Sequence, residues 1–131
     1  MFTPTLPTSH HDLLTGATVS LSTLNADGSI QTTAIWVMVD ENDVVRTSLA
    51  KNRRKYVNLV ARPVATLFSI SPTNPMHTLE IRATVEIEDD DADLSFLKRL
   101  LATYDDSLDA LPLMAEEERT VVTFRPTRIR I

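Results

Sequence analysis

Apolar and polar residues alternate from Ala17 to Leu24, with Val19 and Leu21 on one face and Ser20 and Ser22 on the other. That is the period-two pattern of a half-buried strand. In Asn25-Ala26-Asp27-Gly28-Ser29, the Asp-Gly pair predicts a hairpin turn, because Gly28 takes a positive φ at little cost. Ile30 to Val39 is rich in β-branched and large apolar residues and reads as one strand. Asp40 to Asp43 turns the chain into another, Val44 to Leu49. Asn52 to Ala61 predicts a short helix with Asn52 as N-cap, Tyr56, Leu59 and Val60 on one face, and Arg62-Pro63 as its end.

Val64 to Ile70 reads as a further strand, and the two prolines of Ser71 to Pro75 make a loop, since they remove donors that a ladder needs. Thr78 to Glu88 carries the cleanest alternation in the chain. Leu79, Ile81, Ala83, Val85 and Ile87 point one way and Glu80, Arg82, Thr84, Glu86 and Glu88 the other. Acidic residues from Asp89 to Asp93 open a helix that runs to about Tyr104, with Leu94, Leu97, Leu100 and Leu101 at helical spacing. Thr120 to Ile131 is the last strand.

The pattern is six strands with two or three short helices, a mainly β chain of α+β character. Six strands with tight turns favour a closed or nearly closed antiparallel β-barrel, because closure removes exposed edges. A parallel α/β arrangement is disfavoured, since Leu21 through Leu49 leaves no room for crossover helices. The 131 residues suit a single domain over 1–131.

Composition narrows the function. Without cysteine there is no disulfide framework, thiolate metal site or cysteine nucleophile. No long apolar run opens the chain, so neither a signal peptide nor a membrane helix is expected, and a cytoplasmic location is. A net charge of −5 argues against general nucleic-acid binding. Yet Val44 to Leu79 contains no acidic residue while holding Arg46, Lys51, Arg53, Arg54, Lys55 and Arg62. Such a positive region on an acidic protein suits a small anionic ligand.

The chemistry concentrates at Asn52-Arg53-Arg54-Lys55. Cations in the first turn of a helix oppose its dipole, at roughly 0.3–1 kcal/mol each. An anion at that position reverses the sign: free N–H groups, dipole and side chains would converge on one phosphate. Thr47 and Ser48, at the end of the preceding strand, offer hydroxyl donors to it. The alternative is a solvated basic face.

The order Thr18 to Leu24, Asp27 to Thr33, Ile35-Trp36-Val37, Thr47-Ser48, Arg53-Arg54-Lys55 with Asn58-Leu59, and Arg62-Pro63 resembles the pyridoxamine 5′-phosphate oxidase-like superfamily. Within it the chain is most similar to flavin- or deazaflavin (F420)-dependent oxidoreductases, over Ala17 to Glu88 with an echo in Thr120 to Ile131. The resemblance implies a split β-barrel of FMN-binding type and a homodimer with two cofactor sites at its interface. It implies F420 as cofactor, with FMN the alternative. Ser48, Arg53 and Lys55 match phosphate-binding positions, Asn58 a nearby polar contact, and Thr33, Ile35, Trp36 and Val37 the strand beside the ring. Met76 and His77 match a loop of the second protomer that covers that ring. The substrate motif of the founding enzyme is not recognisable near the C-terminus.

His77 is the one candidate proton donor. His10 and His11, beside Asp12, lack the further ligands a metal site needs. Glu88 to Asp91 does not have calcium-loop spacing, and nothing resembles a nucleophile elbow. The leading expectation is an oxidoreductase that passes a hydride to a small organic acceptor, with no membrane or nucleic-acid partner. The alternatives are a non-catalytic flavin- or haem-binding carrier or sensor and, more remotely, an interaction module with an acidic partner.

Overall fold

The computed structural model describes residues 3–104 and 107–131. Among these residues seven strands are present: β1 (Thr18–Leu24), β2 (Ile30–Trp36), β3 (Met38–Val39), β4 (Val45–Ala50), β5 (Val64–Ile70), β6 (Thr78–Asp89) and β7 (Arg119–Arg130). They form one antiparallel sheet in the order β2-β1-β5-β6-β7-β4-β3. The two edge strands, β2 and β3, are separated in sequence by Val37 alone. A sheet whose opposite edges adjoin in the chain must curl back on itself, which makes it a split barrel. The helices are α1 (Arg54–Ala61), α2 (Ser95–Ala102) and the one-turn α3 (Leu111–Met114), and a 3-10 segment spans Thr8–Leu13.

The strand expected from Ile30 to Val39 is thus two strands, giving seven in place of six. Trp36 pairs with Thr18 of β1, whereas Met38 pairs with Arg46 of β4, so the chain changes partner at Val37. Val37 is 1% exposed, and its amide, outside both ladders, donates to the Tyr104 hydroxyl at 3.1 Å. A buried amide leaving a ladder needs such an acceptor.

Two helix starts also move. Arg53, not Asn52, is the N-cap of α1, and no side chain bonds the cap. The leucine-rich helix begins at Ser95, later than the acidic run suggested, because Asp90 stays outside and accepts from the amides of Phe96 (3.2 Å) and Leu97 (3.0 Å).

The alternation in β1 and β6 is reproduced: Val19, Leu21, Leu79, Ile81, Ala83 and Val85 are all buried, and Ala65 and Leu67 of β5 join them. Leu59 of α1 and Leu13 and Leu14 near the N-terminus pack into the same core. Six consecutive residues of β7, Arg119 to Phe124, are buried. Alternation fails where both faces of a strand are covered. Leu97, Leu100 and Leu101 of α2 are buried too, which sets that helix against the barrel wall beside β4. Among the described residues no helix is long and apolar enough to cross a membrane.

Candidate functional site

A cleft of about 370 Å³ opens where β4 hands over to α1. Ile35 and Trp36 of β2 and Thr47 to Ala50 of β4 line it, with Arg53 and Lys55 at the start of α1. Leu100 and Leu101 of α2, Met114 and Arg119 complete much of the wall. Short connections create this geometry: the Arg53 amide bonds the Ala50 carbonyl at 3.2 Å, and the Lys51 amide bonds the Glu118 carbonyl at 3.0 Å. The strand therefore turns straight into the helix and presents its first residues to the cleft.

Three cations gather there. Arg119 lies across from Ala50 in the β4–β7 ladder. Its Nε donates to the Ser48 hydroxyl at 3.1 Å and its Nη2 to the Ser48 carbonyl at 3.2 Å. Glu117 bridges Arg119 (3.3 Å) and Arg53 (3.5 Å). Lys55 has no carboxylate within ion-pair distance among the described residues, and its ammonium donates to the Thr33 hydroxyl at 3.3 Å. Burial, and then the charges of Arg53 and Arg119, pull the Lys55 pKa below its ordinary value. Burial is also the main cause of the lowered pKa of Arg119. The amides of Arg54 and Lys55 have no backbone acceptor among the described residues, as expected of a helix's first turn.

The rest of the wall is apolar and aromatic. Ile35, Leu49, Leu100 and Leu101 are buried beside the indole of Trp36. That indole stacks on Tyr104, with ring centroids 4.4 Å apart and planes inclined by 14°. Thr47 donates its hydroxyl proton to the Trp36 carbonyl at 2.6 Å and ties β4 to the end of β2. A cation cluster beside a flat apolar wall suits a ligand with an anionic end and an aromatic body.

Of the residues singled out in the sequence, Ile35, Trp36, Thr47, Ser48, Arg53 and Lys55 meet in this cleft, and Thr33 joins them through Lys55. Five others do not line it. Val37 is in the core, and Arg54 is exposed. Asn58 is 1% exposed, its side-chain amide donating to Thr23 (3.1 Å) and Asn25 (2.9 Å), with its carbonyl accepting from Arg62 (3.4 Å). His77 sits with its Nε2 3.0 Å from Asp12 and its ring 4.3 Å from that of His10, next in the chain to the exposed Met76. Lys51, also in the basic segment, pairs with Asp89 (2.8 Å) and Glu118 (3.5 Å) instead.

No local sequence signal marks Arg119, Glu117 or the cleft-lining Leu100 and Leu101 of α2 as site residues. Arg119 lies 64 positions beyond Lys55 and follows the acidic run Glu116 to Glu118, so local charge pattern disguises it. Only strand pairing reveals where it goes.

The fold has counterparts among solved structures. An F420 reductase of known structure is 29% identical, with a TM-score of 0.79, covering 95% of this chain and 98% of its own. A conserved hypothetical protein from Mycobacterium tuberculosis is 18% identical, with a TM-score of 0.72 over 98% of this chain and 84% of that one. The heme storage protein HutZ from Vibrio cholerae is 14% identical, with a TM-score of 0.65 over 87% and 84% of the two chains. These last two share the fold. No curated protein matches the sequence. The sequence pattern of pyridoxamine 5′-phosphate oxidase matches residues 9–131, nearly the whole barrel and every residue that lines the cleft, and the chain belongs to that family.

Proposed function

We propose that this protein is a cytoplasmic oxidoreductase that holds F420, with FMN the alternative, in the Ser48–Lys55–Arg119 cleft and passes a hydride to a small organic acceptor. Lys55 carries the proposal: a half-buried ammonium near two guanidinium groups and, among the described residues, without a carboxylate partner supports an anion site. The unbonded amides of Arg54 and Lys55 suit the same phosphate. Lys55 and Arg53 would hold that phosphate, with Ser48 and Arg119 behind it, while Ile35 and Trp36 back the ring. The 29% identity to an F420 reductase supports F420 over FMN. So does the acid-free window from Val44 to Leu79, since F420 carries carboxylates as well as phosphate.

The bound ring supplies the hydride, and the chain's own residues bind, orient and exclude water. No nucleophile is needed. The working unit is a homodimer, in which Met76 and His77 of one copy cover the ring held by the other. Outward-facing Val64, Phe68 and Ile70 of β5, 43%, 40% and 49% exposed, supply apolar surface for such pairing.

The test is a fluorescence titration with F420 and FMN separately, on wild type and Lys55→Ala. Wild type is expected to bind, and the variant to bind about tenfold or more weakly. Equal affinities refute the phosphate grip, and binding of neither cofactor refutes the whole reading. Tight binding with no turnover of any acceptor makes the protein a carrier.

A further inference from the structure

The cation cluster contains a carboxylate of its own. Glu117 stands on the turn between α3 and β7, where its amide bonds the Met114 carbonyl at 3.3 Å, and Met114 itself lines the cleft. One carboxylate oxygen is 3.3 Å from Nη1 of Arg119. The other is 3.5 Å from Nη2 of Arg53 and accepts from the Asn52 side-chain amide at 3.4 Å. Glu117 therefore spans two of the three cations, and Lys55 has no carboxylate partner among the described residues.

We propose that Glu117 is an internal counter-ion that sets a charge threshold, so that the cleft holds ligands with two or more negative charges at their anionic end and rejects single carboxylates. The proposal rests on the anion-site reading given above and adds a selection rule to it. A monoanion gains only Lys55 in full, because Glu117 already neutralises much of Arg53 and Arg119. A phosphate dianion, or a phosphate with carboxylates attached, competes for the arginines as well. Arg119 has five N–H donors, and its contacts to Ser48 and Glu117 leave some of them for a ligand. The Glu117 side chain is 27% exposed, so water receives it when a ligand displaces it. Asp89 and Glu118 pair with Lys51, and Asp90, whose charge also acts on Arg119, is taken up by the Phe96 and Leu97 amides.

The experiment measures binding of inorganic phosphate and of acetate at pH 8 by calorimetry, in wild type, Glu117→Gln and Glu117→Asp. The Gln variant is expected to bind phosphate about fivefold more tightly than wild type and to gain acetate binding that wild type lacks. The Asp variant keeps the charge on a shorter arm that spans the two arginines poorly, and falls between them; it carries the test if the Gln variant does not fold. Phosphate affinity unchanged or weakened in both variants overturns the proposal, because Glu117 then orients the arginines without competing for them. If wild type binds phosphate and only the gain is missing, the threshold alone fails. If no form of the protein binds phosphate, the anion-site reading falls and the threshold with it.

Discussion

Tyr104 and Val37, 67 positions apart, meet at the point where the sheet changes partner: the Val37 amide donates to the Tyr104 hydroxyl at 3.1 Å. The same hydroxyl lies 2.8 Å from the Ala17 carbonyl, while its ring stacks on Trp36 in the cleft. One side chain thus fixes the seam of the barrel and one wall of the candidate site. Burial, which disfavours the phenolate, raises the Tyr104 pKa.

Tyr104→Phe keeps the stack and removes the hydroxyl. The buried Val37 amide then lacks its acceptor, which costs about 1–3 kcal/mol. Urea unfolding should show that loss, with cofactor affinity reduced less than in Lys55→Ala.

Lys55→Met tests whether the unmatched charge opposes folding. The lowered pKa in the folded protein means that the unfolded chain binds the Lys55 proton more readily. The resulting penalty is fully present below the lowered pKa and is relieved as pH rises through it towards the ordinary lysine value of about 10.4. Relative to wild type, the cofactor-free variant should therefore be most favoured at neutral pH, and that advantage should shrink on approach to about pH 10.4. Chemical denaturation at several pH values checks this. A constant difference between the two proteins would contradict it. With an anionic cofactor present the order should reverse, since only wild type gains from binding.

Asn58→Ala separates structure from binding. Asn58 has its partners in Thr23, Asn25 and Arg62, away from the cleft lining. The substitution should cost about 1–3 kcal/mol of stability and leave the cofactor Kd within about twofold of wild type. A large change in Kd at unchanged stability would instead make Asn58 a direct cofactor contact.

Asp90→Ala removes the acceptor for the Phe96 and Leu97 amides. Loss of such a cap costs about 0.5–2 kcal/mol. Because α2 carries Leu100 and Leu101 into the cleft, cofactor binding should weaken along with thermal stability. Unchanged binding would show that the helix is held by its leucines alone.

The sequence by itself determined the features that depend on neighbouring residues. The burial of β1 and β6 was legible because alternation is a local property of an extended chain with one face in the core. The hairpin at Gly28, whose φ is +87°, was legible because a left-handed residue in a tight turn favours glycine. That Arg53, Lys55, Thr47 and Ser48 come together in one cleft was legible because they lie within nine consecutive residues.

Tertiary structure decided the rest. The break at Val37 arises because β2 and β3 find different partners, which no property of Ile30 to Val39 announces. Asn58 lies beside the basic segment in sequence, yet its helix turns it inward to Thr23. Arg119 and Glu117 join Arg53 only through the register that sets Ala50 against Arg119. Charge at a site depends on distance through space, and the chain separation of these residues hides that distance until the strands pair.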